Sequence, residues 1–243
     1  MSSILVIGGT SDVGIAVAHV YAAKGFDILL AGRNLENLKV VAADIEIRFG
    51  VKTQCYHFDA LNTADFETTI QQIEPLPNIS FYVVGYLGDN ELAITDNKEA
   101  DAIIQSNYTG AIHIINRLAR RYAAAKAGTI VGIGSVAGER GRRSNFIYGS
   151  ANAGFGVYMN GLRNWLQPHK VHVLLVKPGF IQTKMTAELK LPKLLTAKPI
   201  EVAKAIENAV AAGTNTLYVK WFWRYIMLII KMIPEPIFKK MKL

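Results

Sequence analysis

The chain opens on an apolar run, Ser3-Ile4-Leu5-Val6-Ile7, that passes directly into Gly8-Gly9-Thr10-Ser11-Asp12-Val13-Gly14 and then into a helical pattern from Val13 to Lys24. A strand that turns on glycines into a helix leaves several first-turn N–H groups without an intrahelical partner, facing the turn, where a pyrophosphate is held best. Glycine permits both the tight turn and the close approach of the anion. Taken alone, the segment fits a plain structural turn as well as a nucleotide site.

Beyond this turn the chain alternates. Apolar runs predict strands at 3–7, 26–31, 51–57, 79–84, 128–133, 171–176 and 216–219, with helical patterns at 13–24, 35–48, 62–73, 98–125, 150–167 and 199–212 between most of them. The runs are continuous, as in Ile28-Leu29-Leu30 and Val173-Leu174-Leu175-Val176, the pattern of strands covered on both faces. The reading is an α/β, doubly wound (Rossmann) sheet of seven parallel strands with helices on both faces. It forms one domain over 1–219, followed by an amphipathic tail over 220–243. Ligands of such sheets collect beyond the carboxyl ends of the strands, so the residues just after each strand carry the functional signal.

Just over half of the 243 residues are apolar, which is enough for one sizeable core. The single cysteine, Cys55, excludes an internal disulfide and reads as a core thiol. No metal-ligand spacing is present. The start shows no secretory pattern, so the expected location is cytoplasmic.

After the second strand stands Ala31-Gly32-Arg33-Asn34, with arginine where an acidic residue would repel a 2′-phosphate. This favours NADP over NAD, although a solvated arginine at a helix start also fits. After the third strand, Asp59 and Ala60 lie where an adenine amino group is bound, and a carboxylate at a helix start explains Asp59 nearly as well. After the fourth, Gly85 allows the backbone to lie against a cofactor.

The fifth strand ends in Ile133-Gly134-Ser135-Val136-Ala137-Gly138, and Tyr148 comes later in Tyr148-Gly149-Ser150-Ala151-Asn152. With Asn107 in Gln105-Ser106-Asn107-Tyr108 and the later Lys177-Pro178-Gly179-Phe180-Ile181-Gln182-Thr183, this layout over residues 3–219 resembles the short-chain dehydrogenase/reductase family. The resemblance implies an NADP(H)-dependent oxidoreductase. In it Tyr148 gives and takes the proton, Ser135 orients the substrate oxygen, and Asn107 supports a water-linked proton path. The glycine motif maps to Gly8, Thr10, Ser11 and Gly14, with Asp12 and Val13 between them. Pro178, Gly179, Ile181 and Thr183 would pack near the nicotinamide, and Tyr148 and Asn152 near its ribose.

Three positions depart from that family. Asp12 stands where the turn usually has a glycine, with an Asx-type turn as the mild reading. Tyr82-Val83-Val84-Gly85 replaces an Asn-Asn-Ala-Gly segment, so its side-chain hydrogen bonds come from elsewhere or are missing. Asn152 stands four residues after the tyrosine, where the family has a lysine whose charge favours the phenolate. Three readings compete: another cation, Lys177 or Lys184, reaches the site; the chain is a variant without its lysine, with impaired activity; or it is a non-catalytic, membrane-associated NADP(H)-binding sensor or scaffold.

From Lys220 onward the chain holds six Lys/Arg against one Glu, which is +5 of the total +8. Trp221, Trp223 and the run Tyr225-Ile226-Met227-Leu228-Ile229-Ile230 accompany them. The tail is too short and interrupted to span a bilayer, yet its Trp-rich basic character suits a membrane surface. An oligomer contact or core helix is the competing reading. Basic residues scattered among large apolar ones argue against nucleic acid. With the glycine turn and Gly85-Tyr86-Leu87-Gly88-Asp89, the tail loosely resembles the family branch that reduces polyprenyl-phosphoryl 2-keto-pentose. That likeness implies an apolar or lipid-linked carbonyl substrate and a site peripheral on the cytoplasmic membrane face; the family also implies a homo-oligomer. Segment 186–199 reads as a substrate lid or a plain connection.

Overall fold

In the computed structural model, which describes residues 2–187 and 192–241, the apolar opening run forms β1 (Ser3–Ile7), buried along its whole length. A strand buried on both faces needs cover above and below, and the chain supplies it by alternation. α1 (Asp12–Ala22), β2 (Asp27–Gly32), α2 (Leu35–Phe49) and β3 (Thr53–His57) come first. α3 (Phe66–Gln72), β4 (Ile79–Tyr82), α4 (Asn90–Thr95) and α5 (Asn97–Ile104) come after them. A π turn over Gln105–Thr109 leads into α6 (Gly110–Ala125). Next are β5 (Thr129–Ile133), α7 (Phe146–Leu166), β6 (His172–Pro178), and the short pair β7 (Phe180–Ile181) and β8 (Thr196–Ala197). α8 (Pro199–Ala211) and β9 (Thr216–Val219) precede the tail helices α9 (Trp223–Met232) and α10 (Glu235–Phe238).

Seven strands pair in parallel in the order β3-β2-β1-β4-β5-β6-β9, the doubly wound sheet expected from the sequence. Their alternate residues feed two cores. Ile4, Val6, Ile28, Leu30 and Phe81 meet α1, α2 and α8 on one face. Leu5, Ile7, Leu29, Tyr82 and Leu175 meet α3, α6 and α7 on the other. The order reverses between β1 and β4, so the crevice opens at their carboxyl ends. Cys55 is half-buried against the first core, and burial raises its thiol above the ordinary value.

The helices differ from the pattern in three places. The span 98–125 is not one uniform helix, because the π turn interrupts it. α4 is too short to show a period, and Asp89 starts it by accepting from the N–H groups of Glu91 and Leu92. α7 begins at Phe146 rather than 150, which places Tyr148 in its first turn. The expected lid at 186–199 falls partly on residues 188–191, outside the described ones; Thr196–Ala197 within it pairs with Phe180–Ile181.

Two glycines of the first turn are required by its geometry. Gly8 has φ +98°, and a Cβ on Gly14 would stand 2.4 Å from the Gly8 carbonyl oxygen. Gly14→Ala is therefore expected to lower stability in urea by about 1–3 kcal/mol. An unchanged midpoint would mean that the turn yields to a methyl group freely.

Candidate active site

A cavity of about 270 Å³ lies at the carboxyl edge of the sheet, and its lining includes Thr10, Ser11, Asp12 and Val13 together with Ser135, Tyr148 and Trp223. Ser11 builds the helix start: its Oγ donates to Gly8 O (2.7 Å) and accepts from the N–H of Gly14 (3.0 Å). The first-turn N–H groups of Asp12 and Val13 have no partner within the helix, as an anion site needs. Asp12 does not close an Asx turn on itself. Its Oδ2 accepts from the Lys184 backbone N–H at 2.7 Å, tying the turn to the chain beyond β7.

Gly85, Pro178, Gly179, Ile181, Thr183 and Asn152 also line the cavity. Gly8 and Gly14 act behind its wall, through backbone shape. Ala60 is buried against Gly110 instead of facing the cavity. Asp59 is half-buried and accepts from the Leu61 N–H (3.1 Å). Arg33 is exposed and lines a separate shallow groove with Asn34, Leu35, Glu36 and His57.

Ser135 leaves β5 in extended conformation and caps the short turn Val136–Glu139, accepting from the Ala137 N–H at 3.1 Å. That turn lies hard against α7: a Cβ on Gly138 would stand 2.7 Å from the Ala153 nitrogen, and one on Gly149 3.0 Å from the Ala137 oxygen. The contact brings Ser135 and Tyr148 to one wall. Burial raises the Tyr148 phenol above its ordinary value, and the side chains of Ser135 and Asn152 pull against that rise.

Asn107, in the π turn, is buried and lines the cavity, and its Nδ2 donates to Tyr86 O (2.6 Å) and Ile103 O (2.8 Å) while Oδ1 accepts from Tyr86 N–H (3.3 Å). Its amide thus clamps the segment after β4. In the segment that departs from Asn-Asn-Ala-Gly, the Tyr82 hydroxyl donates to Ser106 O at 2.8 Å and so occupies a carbonyl of the π turn. Asn152 is buried and donates to Tyr148 O (3.0 Å), one turn earlier in α7.

The cation expected from Lys177 is absent at the phenol. Lys177 is engaged by Glu139 (2.5 Å), which also takes Lys231 (2.6 Å) and the Tyr218 hydroxyl (2.8 Å). Lys184 does line the cavity, although its side chain is exposed. Sequence reading missed Arg142, Asn145 and Trp223, which the cavity also includes. The Arg140-Gly141-Arg142-Arg143 run between serine and tyrosine was the available signal for the first.

Trp223 joins the tail to the site. Its indole covers Gly179, where a Cβ would stand 2.0 Å from the ring, and its Nε1 donates to Leu195 O (3.3 Å). Arg140 Nη1 donates to the carbonyls of Ile230 (2.6 Å) and Ile233 (2.7 Å) at the end of α9, and its guanidinium lies 3.7 Å from the Phe238 ring centre. One face of α9 is therefore packed on the site, with Trp223 and Met227 buried. The other face is open.

Known proteins share this layout. The family model described as short chain dehydrogenase matches residues 2–193. An uncharacterized oxidoreductase of Mycobacterium tuberculosis is 31% identical over 98% of this chain and 96% of its own length. A Homo sapiens protein named 3-oxoacyl-[acyl-carrier-protein] reductase is 28% identical over 83% of this chain and 87% of its own. Among solved structures, a short-chain dehydrogenase from Sphingobium yanoikuyae in complex with NADPH has a TM-score of 0.85 at 21% identity, with 97% of both chains covered, a likeness of fold.

The Glu139 cluster makes the attachment of the tail sensitive to acid. Burial works against the Glu139 charge, but the bonds from Lys177, Lys231 and Tyr218, with the Lys177 charge, outweigh it and hold the carboxyl at about 2, against an ordinary 4.5. A lowered folded value contributes stability above about 4.5 that fades as pH falls through about 2. In a Trp165→Phe/Trp221→Phe variant, which leaves Trp223 as the reporter, its emission is expected to move to the red between about pH 4 and 2, before far-UV dichroism is lost. A shift that coincides with global unfolding would remove the cluster's separate role.

Proposed function

The chain belongs to the short-chain dehydrogenase family, and from that premise we propose that it is an NADPH-dependent oxidoreductase that reduces a ketone or, in reverse, oxidises a secondary alcohol. The observation that carries this reading is that the Ser135 and Tyr148 side chains and the anion-ready start of α1 line the same cavity. The coenzyme fits the residues present. Gly8 and Gly14 leave no side chain in the turn, the free first-turn N–H groups suit a pyrophosphate, and Arg33 suits a 2′-phosphate. When bound, the reduced nicotinamide supplies the hydride.

The protein supplies orientation and a proton. As a carbonyl oxygen gains negative charge, the Ser135 hydroxyl holds it and the Tyr148 phenol gives it a proton. A phenol raised by burial is protonated throughout neutral pH, the form that reduction requires. Without the family's lysine, the same phenol is a poor base for alcohol oxidation.

The substrate is apolar or lipid-linked, of which a polyprenyl-phosphoryl keto sugar is one form, and the tail rests on an anionic membrane surface. Trp221, Ile229 and Met232 are 73%, 65% and 73% exposed, with Tyr225 and Leu228 beside them. Lys220, Arg224, Lys239 and Lys240 border that apolar face. Large apolar groups bordered by cations complement acyl chains beneath anionic headgroups. Leu194, 79% exposed, extends the face, since its carbonyl accepts from Lys220 Nζ. Among the described residues no helix is long and apolar enough to cross a membrane, so the contact is a surface one.

Tyr148→Phe is expected to lower kcat/KM for NADPH consumption with apolar ketones about 10²–10⁴-fold while coenzyme affinity is kept. Asn152→Lys should speed reduction and bring the limiting ionisation down in pH. Coenzyme binding with no NADPH consumed by the parent, across lipid-linked and apolar ketones, would favour the sensor or scaffold reading instead. In sedimentation with phosphatidylglycerol vesicles, Trp221→Ala/Ile229→Ser should weaken binding at least about tenfold, with phosphatidylcholine vesicles bound poorly by both. Equal binding by parent and variant would exclude the tail as the contact.

A further inference from the structure

Arg142 and Asn145 lie on the segment between Ser135 and Tyr148, and both line the cavity. Arg142 Nε and Asn145 Oδ1 are buried and have no hydrogen-bond partner among the described residues. Buried polar atoms left in that state are costly, and most have a partner when the site is filled. The two neighbouring arginine positions are explained: Arg140 binds α9 and Glu235, and the Arg143 carbonyl accepts from Asn90 Nδ2 (3.5 Å). Asn145 stands at the N-cap of α7 yet makes no cap bond with its side chain, so its amide is held for something else.

Charge narrows what that is. The charged residues lining the cavity are Asp12, Arg142 and Lys184, and Asp12 is engaged by the Lys184 backbone. The cavity lining is largely apolar, Val136, Ala137 and Phe180 included, and an ionic hydrogen bond there is stronger than in water. Burial lowers the guanidinium from its ordinary value, but arginine stays charged in proteins, so a fixed cation awaits an anion. The coenzyme's phosphates are provided for elsewhere, at the start of α1 and at Arg33.

We propose that Arg142, with Asn145 beside it, forms an oxyanion subsite at the substrate end of the cavity, which binds a carboxylate or phosphate carried by the ketone. This rests on the reductase reading for its kinetic consequence, but not for the binding itself. The guanidinium fork takes two anionic oxygens, and the Asn145 carbonyl oxygen takes a hydroxyl or other donor next to them. The subsite thus selects an apolar ketone with one anionic end.

The test has a binding arm and a kinetic arm. Sodium hexanoate, hexyl phosphate and neutral hexanol are titrated calorimetrically into the full chain, with and without NADP⁺. The parent is expected to bind one or both anions saturably and hexanol at least about tenfold more weakly. Arg142→Gln should lose the anions, and Arg142→Lys should retain part of the affinity; which anion binds distinguishes carboxylate from phosphate. In the kinetic arm, the ratio of kcat/KM for 5-oxohexanoate to that for its methyl ester should fall at least about tenfold in Arg142→Gln. Anion binding that survives Arg142→Gln, or no anion binding by the parent, overturns the subsite. An unchanged ratio, or a shift of the ester's pH profile equal to that of the acid, overturns it in favour of a role at the phenol. If the parent reduces neither ketone, the reductase reading fails for them and the binding arm decides the subsite alone.

Discussion

The site depends on one close contact, that of the Val136–Glu139 turn with the first turns of α7. Gly138 and Gly149 permit it, because a side chain at either position would enter the opposing backbone. Backbone pressed on backbone fixes the distance between two segments better than flexible side chains do, and here it fixes Ser135 against Tyr148. The same turn continues into Glu139 and Arg140. Their bonds to Lys231 and to the carbonyls ending α9 make the tail part of the structure that holds the two hydroxyls. Rather than standing apart as an appendage, the apolar helix α9 is built into the cavity wall, with Trp223 over Gly179 as the point of contact.

This arrangement gives the tail two unlike faces. The inner one, Trp223 and Met227, is committed to the cavity, while the outer one, from Trp221 to Met232, is open. A surface that binds the outer face would meet a helix whose first residue, Trp223, lines the cavity.

The sheet was legible in the sequence because most of its strands are continuous apolar runs and the longer helices repeat at three and four residues. The glycine turn, Ser135, Tyr148 and Pro178–Thr183 were legible because they are short motifs set directly after strands. The rest depends on contacts between segments distant in the chain, which periodicity does not encode. Asp12 reaches Lys184, Tyr82 reaches Ser106, and Lys177, one residue before a recognised motif, turns to Glu139. The π turn was hidden for a related reason: one extra residue in a helix leaves the apolar spacing of 98–125 nearly unchanged. Arg142 was overlooked because a basic run in a connecting segment usually lies in solvent, and only the fold brings this one inside.

The replacement of lysine by Asn152 then has a direction as well as a magnitude. A cation beside the phenol serves both directions of a carbonyl reaction, since it makes the phenolate accessible near neutral pH. Asn152, whose Nδ2 is already bonded to the Tyr148 carbonyl, leaves the phenol to the effect of burial, which favours the protonated form. That form is the one from which a developing alkoxide takes its proton, and the base form that alcohol oxidation needs is reached at higher pH, so the substitution moves the pH at which the reaction runs and leaves its equilibrium unchanged. Positive charge has not left the cavity, because Arg142 carries it between the serine and the tyrosine in sequence and within the same walls. On the proposed reading, charge withdrawn from the phenol and carried by Arg142 would change its use, from tuning the acid to choosing what is brought to it.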